Sequence, residues 1–296
     1  MSDPHNYSFN YPADEFWGWV PPDTGVEVPL QTQYWNISTW GGSRWSLPTL
    51  RGQDIEVPYS AGLQWRPKYP NSRTVTLAMW TAGISQVTGG PDTADQRLAF
   101  NNNFQQLRQL FWTRNAITGS VQGTLVRRWW LTQQGTNQVV KASALAEVAG
   151  TVEPTMLGRT SASFSVDLLL ADPYFYGPSR SQMVTTSGGV ITALGEGVVG
   201  EGFPGALSAF TVALTASPVT VTNVTAGVSV TYSGPVTSPP VTLDVLNFQA
   251  ADAAGTNQIA GVTHAGSRMW MCLLPGSNTI TVSAGTAGFQ WNDAYV

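Results

Sequence analysis

Gly195, Gly197 and Gly200 stand in the spacing G-x-G-x-x-G inside the stretch GEGVVGEGFPG. In a dinucleotide-binding enzyme that spacing brings the backbone against a pyrophosphate. The chemistry needs a strand before the glycines, a helix opened by them, and an acidic residue about 20 positions on for the ribose. GGVITAL supplies a strand, but Gly202, Pro204 and Gly205 follow at once and lead into the strand-like SAFTVALTA. With no helix N-terminus to hold a phosphate, the glycines read as a flexible joint between two domains, and no cofactor is expected.

The other reactive residue types are equally scattered. His5 and His264 are the only histidines and form no H-x-x-x-H pair, and His264 reads as a solvated loop residue. Cys272 is the only cysteine, which excludes an internal disulfide and a cysteine-built metal site; inside MWMCLL it reads as a buried, inert thiol. No G-x-S-x-G occurs. Asp54 and Glu56 would share a face if extended, and Asp14 and Glu15 are adjacent. A glycosidase needs only two carboxylates, but such pairs are common on surfaces, so no catalytic residue and no enzyme activity is assigned. Trp17, Trp19, Trp35, Trp40 and Trp45 could stack sugars, which keeps a carbohydrate-binding β-sandwich as the alternative; the same residues equally suit a core or a subunit interface. Arg127 and Arg128 beside Trp129 and Trp130 are the nearest approach to a nucleic-acid patch, against a net charge of −4 and a pI near 5.1.

The elements that must carry these residues are mostly strands. Only 11% of the 296 residues are charged, against roughly 25% in ordinary soluble domains. A surface so poorly charged resists association badly and points to burial in an assembly. Residues 1–180 hold 13 of the 14 Lys and Arg and ten of the twelve Trp, and Arg268 is the only base beyond them. The composition step places a boundary near residue 180, dividing the chain into 1–180 and 181–296. The start MSDPHNYSFNYPADEF has neither a basic segment nor an apolar run, and no stretch approaches the 18 or so apolar residues of a membrane span, so a protein soluble when made and not inserted in a membrane is expected.

One helix is predicted, over residues 92–113. Pro91 precedes it, Asp92 or Thr93 can cap it, Asp95 favours the first turn, and Phe100, Phe104, Leu107 and Phe111 form one face. Around it, Val75, Leu77 and Met79 alternate with Thr74, Thr76, Ala78 and Trp80 in a strand apolar on both faces, and Ala162, Phe164, Val166 and Leu168 share one strand face. Beyond residue 181, SAFTVALTA, VSVTYSG, VTLDVLNF, MWMCLLPG and NTITVSAG read as short strands with Gly and Pro turns, the pattern of a sandwich or barrel. The fold class is therefore mainly β in two domains.

Three stretches in order resemble siphophage distal tail proteins. LRGQDIEVPYSAGLQWRPKYPNSRTVTLAMWTAG carries Asn71, Ser72 and Arg73 leading into a strand; DLLLADPYFYG carries Asp172, Pro173, Tyr174, Phe175 and Tyr176; MWMCLLPGSNTITVSAGTAGFQWNDAYV carries Pro275, Gly276 and Asn278. Together they span roughly residues 50–296, with the helix between the first two, whereas the first 50 residues match no pattern of the family. The resemblance implies an N-terminal β-sandwich or split barrel with one α-helix, closing into a ring, a hexamer in the family. It also implies a C-terminal galectin-like β-sandwich; the histidine, arginine and tryptophan pattern of true galectins is missing here, which makes a docking platform the expectation rather than a lectin. The implied partners are further copies of the chain, the tail tube protein, the tail-tip hub or tail-associated protein, and, further out, the tape measure and receptor-binding proteins, with DNA only in transit. The implied location is the virion tail tip, after synthesis in the host cytoplasm.

Overall fold

The structure, a computed structural model, describes residues 15–37, 44–45, 47–51, 55–56, 63–64, 69–85, 95–112, 119, 121–133, 136–150, 152–202, 205–236, 238–266 and 270–296. His5, Asp14, Trp40, Asp54, Pro91, Asp92, Thr93 and Arg268, named above, lie outside the described residues, as do the side chains of Trp45 and Glu56.

The chain is mainly β. The first strands are β1 (Glu15–Val20), β2 (Val28–Pro29), β3 (Trp35–Ile37), β4 (Arg44–Trp45), β5 (Leu50–Arg51), β6 (Ile55–Glu56), β7 (Leu63–Gln64), β8 (Tyr69–Pro70) and β9 (Arg73–Ala82). Helix α1 (Gln96–Trp112) follows, then β10 (Gln122–Gln133), β11 (Thr136–Ala149), β12 (Thr155–Met156) and β13 (Ser161–Leu170). The rest comprises β14 (Phe175–Thr185), β15 (Gly189–Ala193), β16 (Phe210–Leu214), β17 (Val219–Asn223), β18 (Val228–Tyr232), β19 (Val241–Asp244), β20 (Gln249–Ala251), β21 (Val262–Ala265), β22 (Gly276–Val282) and β23 (Thr286–Tyr295). Two compact units result. The first takes Met1–Trp45, Thr74–Lys141 and Ala146–Leu169; the second takes Ser46–Arg73, Ala142–Leu145 and Leu170–Val296. The composition step at residue 180 lies inside β14.

In the first unit β1 runs antiparallel to β10, β11 joins β10 to β13, and β9 lies between β13 and the short β3 and β4. Strand β13 follows its period-two pattern, with Ala162, Phe164, Val166 and Leu168 all buried. Strand β9 differs from its expectation. Val75, Leu77 and Met79 are buried, but Thr74 is exposed and Thr76, Ala78 and Trp80 are half-exposed, so only one face of this inner strand meets a core. The outer edge of β1 is closed by a side chain: the Trp17 N–H donates to Gln31 Oε1 at 2.8 Å and Gln31 Nε2 donates to the Glu15 carbonyl at 3.1 Å. One amide thus takes the place of a ladder partner and blunts the edge against stray pairing.

Helix α1 begins at Gln96, later than its predicted start. Its cap is Asp95, whose Oδ1 accepts the Leu98 N–H at 2.8 Å, the reach expected of an N-cap side chain. The buried face is Phe100, Asn103, Leu107 and Phe111, with Phe104 half-buried rather than in the core. Asn103 earns its place by donating from Nδ2 to the carbonyls of Ala82 at 2.9 Å and Ile84 at 2.8 Å, which ties the helix to the end of β9. At the other end the Trp19 indole donates to the Leu110 carbonyl at 2.8 Å. A side chain on Gly123 would run into the Trp19 ring, so glycine is needed there.

The second unit contains a sandwich. One layer has the order β14-β23-β16-β19-β20 and the other β15-β22-β17-β18-β21, all pairs antiparallel. Alternate residues of both layers meet inside: Val212, Leu214, Leu243 and Phe289 from the first, Val221, Val230, Tyr232 and Ile280 from the second, in one continuous core. Two sequence expectations change here. The described residues of MWMCLL, Trp270 to Leu274, form no regular strand; Leu273 makes an isolated bridge to Val199. His264 lies on the edge strand β21, exposed, rather than in a loop.

Three basic residues of the first unit are held by carboxylates. Arg127 pairs with Glu15 and stacks between Trp17 and Trp129, its guanidinium 5.7 and 4.5 Å from the two ring centroids. Arg128 forks onto Glu27 at 2.5 and 2.7 Å, and Lys141 reaches the same carboxylate at 3.1 Å. Burial pushes the Glu27 carboxyl up, but the hydrogen bonds and charges of Arg128 and Lys141 outweigh it and hold the group below the ordinary carboxylate value.

Two outcomes are expected. Asn103→Ala leaves two carbonyls without this donor and lowers stability by about 1–3 kcal/mol, whereas Asn102→Ala on the exposed side changes it by less than about 0.5 kcal/mol; thermal melts of both variants decide. A native carboxyl held below its unfolded value stabilises fully above that value and loses the contribution as pH falls through the native one. Glu27→Gln is therefore expected to flatten the acid limb of stability against pH below about 5, and an unchanged limb would show that the pair contributes nothing.

Candidate functional site

The motif residues of the sequence lie in the second unit, and several of them touch. Asn71 is exposed and its N–H donates to the Thr49 carbonyl at 2.7 Å; Ser72 is exposed as well. Arg73 turns inward, with only 6% of its surface exposed, and lays its guanidinium over the Phe175 ring at 5.2 Å. Two stretches a hundred positions apart thus meet in one cation–π contact. A guanidinium sheds water more readily than an ammonium and stacks flat, which suits arginine rather than lysine here.

Asp172, Pro173, Tyr174, Phe175 and Tyr176 form a turn into β14 that is held by its own first residue. Asp172 Oδ1 accepts the Tyr174 N–H at 3.2 Å, and Asp172 Oδ2 accepts the Tyr176 hydroxyl at 2.6 Å. Pro173 is buried beneath. The Tyr174 hydroxyl donates to Glu201 Oε2 at 3.2 Å. Burial, then the charges of Glu201 and Asp172 respectively, push both phenols well above their ordinary value. They are fixed donors, not acid–base groups.

The glycine stretch is packed against this turn. A Cβ on Gly195 would collide with the Ala294 carbonyl oxygen, one on Gly197 would sit 2.6 Å from Tyr174 Cε1, and one on Gly202 would collide with the Tyr176 hydroxyl. Gly200 takes φ +103°, a region that side chains avoid. Between them Val199 exchanges backbone hydrogen bonds with Leu273, at 3.0 and 3.1 Å. The flexible joint expected from composition is instead a close-packed segment, because Gly195 makes room for the backbone of β23 and Gly197 and Gly202 make room for tyrosines. No helix follows; the chain goes on to β16.

The third motif is a hydrogen-bonded plug. Pro275 and Gly276 are exposed at a turn, Gly276 with φ +90°, whereas Asn278 is fully buried. Asn278 Nδ2 donates to the carbonyls of Leu274 at 2.8 Å and Gly276 at 3.0 Å, and its Oδ1 accepts the Leu274 N–H at 2.9 Å and Asn223 Nδ2 at 2.9 Å. Asn223 also donates to the Cys272 carbonyl at 2.8 Å. Satisfying a buried amide on every side fixes one arrangement of the turn.

The pair that sequence reasoning missed is Arg180 and Asp293. Asp293 is fully buried; Arg180 Nε lies 2.5 Å from its Oδ2, while its Oδ1 accepts the Leu194 N–H at 3.0 Å and the Trp291 indole N–H at 3.1 Å. Asp293 follows Asn292 in the terminal strand, and nothing in FQWNDAYV distinguishes a buried aspartate from an exposed one.

The polar groups of these clusters are held by hydrogen bonds and burial. Burial, with the Glu201 charge second, pushes the Cys272 thiol up to about 11, far from a thiolate nucleophile. Among the described residues no three His, Cys, Asp or Glu side chains are grouped to hold a metal ion, and no helix is long and apolar enough to cross a membrane. Trp17, Trp19 and Trp35 are buried, so they are core residues rather than sugar platforms. Arg127 and Arg128 are bound to carboxylates, which removes the nucleic-acid patch that their spacing offered.

Substituting the glycines tests the packing directly. Gly195→Ala is expected to lower stability by about 3 kcal/mol, and Gly205→Ala, whose Cβ meets nothing nearer than 3.8 Å, by less than about 1 kcal/mol. Equal melting temperatures for the two variants would contradict the close packing.

No protein-family model matches the chain, and no curated protein matches it. Solved structures do. The Dit protein of phage SPP1, described as a paradigm of the hub adsorption apparatus in phages that infect Gram-positive bacteria, aligns over 95% of this chain and 99% of its own with a TM-score of 0.56 and 10% identity. A chain of the phage P2 baseplate in its activated conformation with Ca aligns over 94% of this chain and 97% of its own, with a TM-score of 0.38 and 10% identity, too low to support a structural conclusion. The architecture agrees with the first of these: the chain has a distal-tail-protein, Dit-like fold.

Proposed function

We propose that the chain is a non-enzymatic structural component of a siphophage tail tip. It closes into a ring, a hexamer, that joins the tail tube to the tail-tip hub or baseplate and its host-recognition proteins. The observation that carries this reading is the alignment with SPP1 Dit along nearly the whole of both chains, which leaves no large part of either unmatched. The motif residues, from Arg73 to Asn278, hold the fold rigid; their place at any interface is part of the proposal.

In this reading residues 1–180 form the ring and residues 181–296 form a galectin-like platform that faces outward to docking partners. The tail tube and hub proteins are the immediate neighbours, and tape measure and receptor-binding proteins lie further along the assembly. DNA passes through the lumen only in transit. A net charge of −4 suits a lumen that must not retain DNA by counterion release, and so does the pairing of Arg127 and Arg128 with carboxylates.

Light scattering and negative-stain images of the purified full chain test the proposal. Closed rings of uniform subunit number are expected. A chain that stays monomeric at the highest concentration reached would overturn the ring, and any turnover of glycans dependent on Glu56 would overturn the non-enzymatic role.

A further inference from the structure

We infer that two faces of the first unit, one basic and apolar, the other acidic, meet head to tail between successive copies of the chain; the inference rests on the ring reading above.

The first face is built on β1, β10 and β11. Phe16 lies opposite Arg128, and Trp130, two residues further along, projects on the same side. Arg128 and Lys141 share the Glu27 carboxylate, which sets Lys141 beside Arg128. Strands β10 and β11 are neighbours in the sheet, and Val139 stands two residues from Lys141, on the same side of β11. Phe16 is 44% exposed, Trp130 54% and Val139 51%, an unusual concentration of large apolar surface around two cations that share one anion.

The second face is on β11 and β13. Glu147 lies opposite Leu169, and Asp167, two residues from Leu169, lies opposite Ala149. All three side chains point away from the buried Leu168 and Val166, and Leu169 is 39% exposed. Asp167 takes a hydrogen bond from Thr76 at 2.6 Å, and among the described residues neither carboxylate has an ion pair.

The two faces differ in sign and lie towards opposite ends of β11, Val139 and Lys141 near its start and Glu147 near its end, so one copy can set its first face on the second face of the next, a heterologous contact of the kind that closes a ring. A basic face packed on its own copy would set Lys141 against Lys141. Against Glu147 and Asp167 of the next copy, its excess positive charge is neutralised while Phe16, Trp130 and Val139 lose water around Leu169. The occupant of each face is therefore the other face of a second copy. Aromatic residues at the centre of such contacts carry most of the affinity.

A mixing experiment tests this with the full chain. One variant disables the first face (Trp130→Ser with Val139→Ser), the other the second (Glu147→Arg with Leu169→Ser). Thermal melts and sedimentation velocity of each alone and of an equal mixture are the readouts. Each alone is expected to remain a folded monomer, its association weakened on the order of 30-fold or more relative to the wild-type ring. The mixture is expected to form a 1:1 dimer and no ring, because one intact contact remains. Wild-type rings together with rings from either variant, or with a mixture that stays monomeric, would overturn the paired faces and leave the ring reading standing. A wild-type chain that never assembles would overturn both. If either double variant melts early, the milder Trp130→Thr and Glu147→Gln, mixed in the same way, decide by the same outcomes.

Discussion

Asp293 has no access to water, and the end of the chain is arranged around its carboxylate. Arg180 meets it from β14, and the Leu194 amide and the Trp291 indole supply the remaining donors. A buried ion pair gains little net stability, because desolvation offsets most of the attraction, yet stranding one partner is costly. Its effect falls on register. Strand β23 sits between β14 and β16, and only the pairing that brings Arg180 opposite Trp291 satisfies the carboxylate. Beyond it the register shifts between Ser179 and Tyr176, which sets Ala294 opposite Tyr176 and Tyr295 opposite Phe175, where the glycine segment closes over them.

From that register the rest of the second unit follows by steric fit. The tyrosines keep their protons and are held by Asp172 and Glu201, so the polar cluster is a clamp with no free base or nucleophile. Arg73 brings a distant stretch onto Phe175, and Asn278 with Asn223 locks the turn before β22. The first unit solves the same problem differently, through paired charges on β1 and β10 and a helix pinned by Asn103 and Trp19. Both solutions tie polar side chains into fixed hydrogen bonds and ion pairs.

The parts of this architecture that depend on local periodicity were legible in the sequence. The alternation from Ala162 to Leu168 and the helical face of Phe100, Leu107 and Phe111 appear where the pattern puts them. The helix start was not legible, because Asp92, Thr93 and Asp95 are all competent caps within four residues and only tertiary placement chooses among them. Asn103 was hidden for the opposite reason: a polar residue inside an apolar stripe looks like a break until its two carbonyl partners are seen. The glycines misled most. Flexible joints and close-packed backbones use the same residue, and only Tyr174, Tyr176 and Ala294, distant or unremarkable in sequence, tell them apart. Contacts such as Arg73 with Phe175 carry no local signal at all.

The most direct measurement is a reconstruction of the intact tail tip of the virion that carries this chain. A closed ring of copies, placed between the last ring of the tail tube and the hub, with residues 181–296 of each copy on the outside, is the predicted result. A tail tip from which the chain is absent, or in which it occurs as isolated peripheral copies, would contradict the structural role.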